Sequence, residues 1–195
     1  DLSRHPVDPA LVLLQAHLAQ GRALGVLPDK AQDPAVRHAT VADGFLIEAL
    51  TRRIWTGRVS AESTVFRETP ESVAAQLAKG GGVILELDGE PIGSGRFVPV
   101  PGPGGQGDWI EIKRIGVLPG FQKRGFGAVI LRALEAMGIA RGAEGAQLAI
   151  RTDQPRLIVF YEALDYVRAD DVELTTPNPL SPPPFGMRKI FRTDT

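Results

Sequence analysis

Cysteine is absent from the 195 residues, which removes disulfides, thiolate metal ligands and a thiol nucleophile together and leaves the redox compartment open. Neither sign of charge dominates. The 22 Lys and Arg meet 23 Asp and Glu for a formal net charge of −1, so the broad basic field of a non-specific nucleic-acid binder is missing. Long apolar runs are missing too. Leu11–Leu14 falls far short of a secretory core or of the ~20 residues needed to span a bilayer. The default expectation is a soluble, cytoplasmic protein without nucleic-acid or membrane partners. His5, His17 and His38 are scattered with no ligand spacing, so no metal site is read. What is plentiful is glycine (22) and proline (16), well above the average combined usage of about 12%. They are dispersed among enough apolar residues, 43% of the chain, for an ordinary globular core.

Asp8-Pro9 reads as a helix start, with Leu11, Leu14 and Leu18 on one face. This helix, Asp8–Gln20, belongs to an N-terminal extension, residues 1–33, ahead of a domain over 34–195. It could cover a sheet face or make a homodimer contact. A short strand is expected at Ala35–Ala39, then a helix capped by Asp43 with Leu46, Leu50 and Ile54 buried. Thr69-Pro70-Glu71 opens another helix that ends before Gly80-Gly81-Gly82. Asp88-Gly89 joins Val83–Leu87 and Pro91–Phe97 as a hairpin. Pro99 to Gly107 reads as a mobile loop beside the functional site. Then come a strand at Trp109–Val117, an amphipathic helix at Gly125–Arg141, and a strand around Ala146–Ile150. A helix over Pro155–Leu164, a strand near Tyr166–Leu174, the proline-rich loop Pro177–Pro184 and a strand at Met187–Phe191 complete the chain. The tally is an α/β class mixed sheet of six or seven strands.

The chemistry concentrates after Trp109. Ile110 and Ile112 share one strand face, whereas Ile115 and Val117 share the other. A change of face at odd spacing implies an inserted residue, a β-bulge near Lys113–Arg114, which frees backbone groups for a ligand alongside the strand. Next, Gln122-Lys123-Arg124-Gly125-Phe126-Gly127 opens a helix. Glycines permit close backbone approach, and the helix start offers unpaired N–H groups with the positive dipole end, a cradle for pyrophosphate. For a bare Gly-x-Gly, tight helix–strand packing is the simpler explanation. No Gly-Lys-Ser/Thr closes the loop, and Ile130 replaces the third glycine of a dinucleotide fingerprint. Gly93-Ser94-Gly95 lacks the first glycine of a nucleophile elbow.

Val117-x-Pro119-x-x-Gln122-x-x-Gly125-x-Gly127 resembles the acyl-CoA-binding signature of the GNAT superfamily of acyl-CoA-dependent N-acyltransferases. Val36-Arg37-His38-Ala39-Thr40 with Asp43 is similar to that family's opening strand and helix cap. Phe160-Tyr161-Glu162-Ala163-Leu164-Asp165-Tyr166 resembles its late Tyr-Glu-x-x-Gly-Phe segment, with Asp165 in the glycine's place. The likeness runs over residues 34–192. It implies a mostly antiparallel six- to seven-stranded sheet with helices on both faces, and acetyl-CoA as co-substrate without a metal. By the same resemblance, backbone groups of Ile115 and Val117 hold the pantetheine arm. The amides of Gln122, Lys123, Arg124, Gly125, Phe126, Gly127 and Ala128 hold the pyrophosphate, and Gln154 takes the place of a pantetheine-binding Asn.

For proton chemistry the resemblance assigns Tyr161 as the acid for the departing thiolate, a phenol near pKa 10 facing a thiol near 8.5. On periodicity alone Leu157, Tyr161 and Leu164 form a buried stripe. Glu111 is the candidate base, and a surface carboxylate paired with Lys113 is the equal alternative. The Ile115 N–H suits the thioester oxygen. The resemblance implies acetyl transfer from acetyl-CoA directly to a primary amine, a small molecule ahead of a protein tail. A non-catalytic acyl-CoA-binding module and a nucleotide-phosphate binder are the competing readings. The family shapes its acceptor pocket with segments that here are Trp55–Thr64 and Pro177–Phe185.

Overall fold

Asp88 and Gly89 both adopt positive φ, 51° and 80°, the turn geometry that matches the twist of two antiparallel strands. They join β2 (Gly81–Leu87) to β3 (Glu90–Pro101). In the computed structural model, which describes residues 34–175 and 177–191, this hairpin sits inside a seven-stranded sheet of order β1-β2-β3-β4-β5-β7-β6. The extension over residues 1–33 and the Asp8–Gln20 helix lie outside the described residues. The other strands are β1 (Ala35–His38), β4 (Asp108–Val117), β5 (Gly145–Ile150), β6 (Val167–Arg168) and β7 (Phe185–Ile190). All neighbours are antiparallel except β4 and β5.

Among the described residues four α-helices cover the sheet: α1 (Gly44–Trp55), α2 (Pro70–Lys79), α3 (Phe126–Ala140) and α4 (Pro155–Glu162). Alternation along β2 sorts them. Ile84 packs with Ile47 of α1 and with Val73 and Leu77 of α2, while Val83 and Leu85 join the larger core that holds Ile130 and Leu134 of α3. Successive strand residues point to opposite faces, so helices lie on both. The Thr69/Ser72 capping box and Pro70 in the first turn start α2 as their positions predict.

Several local expectations are corrected. Asp43 occupies the N-cap position of α1, but its side chain makes no capping bond to that helix. Thr40 begins a short 3-10 turn, and Asp43 folds back onto the Thr40 amide at 2.8 Å. Its two oxygens also take the Arg37 guanidinium at 3.0 and 2.9 Å, which holds the Asp43 carboxyl below the usual range. Ile47, not Leu46, shares the buried stripe of α1 with Leu50 and Ile54. Gly81 and Gly82 are strand residues instead of helix-end residues, fitting narrow spaces beneath Met137 and Leu77. Pro99–Pro101 extend β3 opposite Ile110, Trp109 and Asp108. β2 begins only at Gly81, opposite Phe97, so on that side of β3 a missing proline N–H costs no ladder bond. Of Tyr166–Leu174 only Val167–Arg168 is strand; after the acidic pair Asp170-Asp171 the chain leaves the sheet as a strap that crosses β4.

Candidate functional site

β4 and β5 run together only over Trp109–Glu111 and Gly145–Gln147, although both strands continue. Beyond these pairs they splay, and a cavity of about 310 Å³ opens at the gap, lined among others by Lys113, Ile115, Ala149, Leu157 and Tyr161. The bulge lies on the β4 bank. Ser94 faces Gly116 and Arg96 faces Lys113, so Arg114 and Ile115 together oppose Gly95. Arg114 takes φ 59°, an unfavourable backbone for a residue with a Cβ. A Cβ on Gly95 would stand 2.7 Å from Ile130 and 2.9 Å from Leu134, so glycine lets α3 press directly onto the bulge.

What holds Arg114 in place is an ion cluster. Its guanidinium donates to Glu68 at 2.7 Å and to Thr64 at 2.9 Å. The same Glu68 oxygen accepts from Arg96, a fully buried side chain whose Nε also donates to Gln76 at 2.6 Å. Burial pushes the Arg96 guanidinium below its ordinary value, against the pull of Glu68. The segment before α2 is thereby fastened to the bulge. Gly116 faces α1 and not the gap: a Cβ there would meet the Trp55 ring at 2.5 Å.

The loop after β4 is shaped by positive φ at Gly120, Lys123 and Gly125. Gln122 Nε2 donates to the Val117 carbonyl at 3.0 Å, Phe126 is buried, and Lys123, Arg124 and Gly125 are exposed. The Arg124 guanidinium sits 5.6 Å from the Phe121 ring centre. The amides of Phe126, Gly127 and Ala128 precede the bond from Val129 N to Gly125 O at 3.3 Å. They therefore form an N–H-rich, positively polarised helix start. Beside Gly127 the backbone is open, with only Phe160 at 3.6 Å from a hypothetical Cβ. Val117 is buried opposite Gly93, so Ile115 is the member of the expected backbone pair that lines the cavity.

Tyr161, on α4, combines its two readings. It is half-buried against the core with Leu157 and Leu164, edge-on to Phe160 and Tyr166 at 5.0 and 5.7 Å, and it lines the cavity. Its hydroxyl makes no hydrogen bond among the described residues, and burial pushes it up to about 12. Gln154 precedes α4 and accepts a long 3.4 Å bond from Arg156; it does not line the cavity, whereas neighbouring Asp153 does.

Glu111 is buried and lines the cavity, and it is also paired with Lys113 at 3.5 Å. Gln147 Nε2 donates to it at 3.0 Å, the Thr175 amide at 3.2 Å, and the Thr175 hydroxyl by a short bond. Thr175 in turn accepts from Lys113 Nζ at 2.6 Å. Burial, foremost, pushes the Lys113 ammonium below its usual value. Lys113, Thr175, Gln147, Glu68 and Arg96 are site residues that sequence reasoning misses; only the Glu111–Lys113 pairing has a signal, their shared strand face. Asn178 on the strap donates to the Glu62 carbonyl at 3.2 Å, so the two segments anticipated at the acceptor pocket clasp each other. Among the described residues, no group of three or more His, Asp or Glu could hold a metal, and no helix is long and apolar enough to cross a membrane.

The model of the acetyltransferase (GNAT) family matches residues 48–166. An acetyltransferase of Yersinia enterocolitica is 38% identical over 60 residues, 31% of this chain and 43% of that protein. Another, of Pectobacterium atrosepticum, is 34% identical over 92 residues, 47% of this chain and 61% of its own length. The chain thus matches less than two thirds of these curated relatives. The crystal structure of PaiA N-acetyltransferase from Thermoplasma acidophilum in complex with coenzyme A superimposes with a TM-score of 0.63 at 14% identity, over 82% of this chain and 99% of that one.

Proposed function

The chain belongs to the GNAT family of acetyltransferases, and from that premise we propose that it transfers the acetyl group of acetyl-CoA directly to a primary amine, that of a small molecule. The observation that carries the reading is the coincidence of three features at one gap: the splay of β4 and β5, the bulge at Arg114–Ile115, and the helix start at Gly125–Ala128. The residues fit the co-substrate. The open backbone at Gly127 and the amides of Phe126, Gly127 and Ala128 suit a pyrophosphate, with Lys123 and Arg124 adding charge. The free edges of β4 and β5 suit an extended amide-bearing arm, a role that falls to the backbone of Ile115 at the cavity, with Val117 buried behind it. Gln122 acts through the loop, tying it to Val117. Gln154, outside the cavity lining, contributes at most to the arm's outer end.

Bound acetyl-CoA supplies an activated thioester. The Ile115 N–H is the donor for its carbonyl oxygen, polarising the carbon toward attack. Tyr161 faces the departing sulfur. Burial raises the Tyr161 phenol to about 12 and would raise the acid of a thiolate leaving beside it in the same direction, so Tyr161 serves as the donor to the departing sulfur. Glu111 and Lys113 hold the remaining proton traffic. With no cysteine in the chain, attack is direct, without an acyl-thiol intermediate on the protein. The test is to incubate the protein with acetyl-CoA and a panel of amines and follow free thiol. Thiol release that depends on the amine is the expected result; tight CoA binding with no acceptor acetylated overturns the catalytic reading in favour of a binding module.

A further inference from the structure

We propose that Tyr166, with the buried carboxylate of Glu135 behind it, is the positioning residue that aims the Tyr161 hydroxyl at the departing sulfur. This rests on the acyl-transfer reading above and on the donor role it gives Tyr161. The Tyr161 hydroxyl makes no hydrogen bond among the described residues, so its direction is set by whatever holds the ring. Phe160 is its neighbour in the chain. The other aromatic partner is Tyr166, whose ring centre lies 5.7 Å away with 71° between the planes, the edge-on contact that aromatic pairs favour.

The backbone ties the same two residues. The chain turns away after α4 through Asp165 at φ 71°. The Asp165 amide donates to the Glu162 carbonyl at 3.1 Å, and the Tyr166 amide donates to the Tyr161 carbonyl at 3.0 Å. This nested pair of bonds is a common helix termination, in which the residue after the left-handed one packs on the residue five positions earlier. A residue with a Cβ is disfavoured in that left-handed position, yet Asp165 holds it, so the turn is fixed by its surroundings.

Tyr166 is itself anchored. It is 1% exposed, and its hydroxyl donates to Glu135 Oε2 at 3.3 Å. Glu135 stands on α3 and is buried; Arg132 donates to its other oxygen at 2.9 Å, and Lys189 of β7 pairs with Oε2 at 2.8 Å. The Lys189 ammonium also lies 5.7 Å from the centre of the Tyr166 ring. Burial, followed by the Glu135 carboxylate, pushes the Tyr166 hydroxyl up, which keeps it a donor. An apolar side chain in place of a buried charge often serves stability as well or better. What the carboxylate adds is direction, because it fixes the Tyr166 ring against α3 and β7 together. The helix that aims Tyr161 is thereby the one whose first turn forms the Gly125–Ala128 cradle, so both ends of the co-substrate are keyed to one rod.

The experiment compares Tyr166→Phe, Tyr161→Phe and the double variant with wild type, using an amine found active in the panel. Tyr166→Phe keeps the ring and removes only its anchor. It should lower kcat by no more than the about 10–100-fold that the Tyr161 hydroxyl itself supplies, with KM for acetyl-CoA and for the amine unchanged. In the Tyr161→Phe background the same substitution should cost nothing further, since no hydroxyl is left to aim; such non-additivity marks two groups acting as a unit. A second readout needs no acceptor. The chain has two tyrosines, so 3-fluorotyrosine labelling gives one fluorine resonance for each, and in Tyr166→Phe the remaining Tyr161 resonance should broaden or split. Wild-type kcat in Tyr166→Phe, a loss carried by KM, a loss that persists in full without the Tyr161 hydroxyl, or a Tyr161 resonance as sharp as in wild type overturns the positioning role and leaves acyl transfer standing. A silent Tyr161→Phe removes the donor role and the positioning role together. Wild-type protein that acetylates no amine removes the acyl-transfer reading as well.

Discussion

Replacing Glu68 by Gln should destabilise the fold by about 3–5 kcal/mol, the range found when one member of a buried ion pair is removed and its partner stays behind. The reason lies in Arg96. Its side chain is 2% exposed, that of Glu68 is 11% exposed, and the same carboxylate oxygen serves Arg114. Glutamine keeps the size and one acceptor, but two guanidinium groups are then left facing each other without a negative charge. For a domain of this length each kcal/mol moves the melting midpoint by roughly 2–4 °C, so a drop of roughly 6–20 °C is expected. Urea unfolding followed by the fluorescence of Trp55 and Trp109 measures the loss directly. CoA affinity should fall as well, because Glu68 anchors the bulge residue Arg114. In the double variant Glu68→Leu with Arg96→Met most of the stability should return, since apolar replacements of a buried pair are often neutral, while CoA affinity stays low. A single-variant loss below about 1 kcal/mol, or a double variant no more stable than the single, would refute the claim that this pair is cut off from water.

Tyr161→Phe should lower kcat by about 10–100-fold, the worth of one donor to developing charge being near the lower end of oxyanion-hole effects, with KM for acetyl-CoA unchanged. Because burial holds the Tyr161 hydroxyl near 12, the wild-type rate should show no falling limb from this group until the pH approaches that value; stopped-flow thiol release across pH checks both. Gly127→Ala should keep or raise the melting midpoint, because a Cβ meets only Phe160 at 3.6 Å and alanine gains up to ~1 kcal/mol of helix propensity. The same variant should weaken CoA binding measured by calorimetry, and unchanged affinity would remove the phosphate assignment. The Arg37 guanidinium holds the folded Asp43 carboxyl below the ordinary carboxylate range, so its contribution is present above the unfolded pKa and lost as pH falls through the folded one. Asp43→Asn should therefore lower stability near neutrality and narrow its difference from wild type in acid unfolding curves below about pH 4.

The bulge is legible because Ile110, Ile112, Ile115 and Val117 carry a parity break within eight residues, and period-2 alternation reports it directly. The loop is legible because Gln122, Gly125 and Gly127 lie between a strand and a helix. The ion cluster is not. Glu68, Arg96, Lys113 and Thr175 come from four separate segments, and only the bend of β3 against β4 and the path of the strap bring them together. Arg96 in Gly95-Arg96-Phe97 reads as a solvent-facing strand residue, and nothing local announces that it is buried. Thr175 lies just past a segment whose β-branched residues suggest a longer strand; tertiary bonds to Glu111 draw it off the sheet instead. The pairing of Glu111 with Lys113 follows from strand parity, but the burial that gives the pair its chemistry comes from outside the strand. The clasp between Asn178 and Glu62 joins residues 116 apart in sequence, beyond the reach of any local pattern.

The brief parallel contact of β4 with β5 has a mechanical consequence. Three residue pairs are the seam, among the described residues, between the antiparallel bank β1–β4 and the antiparallel bank β5–β7. Amide protons on either side of the gap, at Ile112–Ile115 and Leu148–Ile150, should exchange with deuterium faster than those of β2, because opening there breaks few ladder bonds. A molecule whose own amides bond to both banks acts as a temporary rung. Its binding should slow exchange on both banks together, stabilising the native state by mass action. The sheet is then most cohesive while loaded and loosens each time its passenger departs.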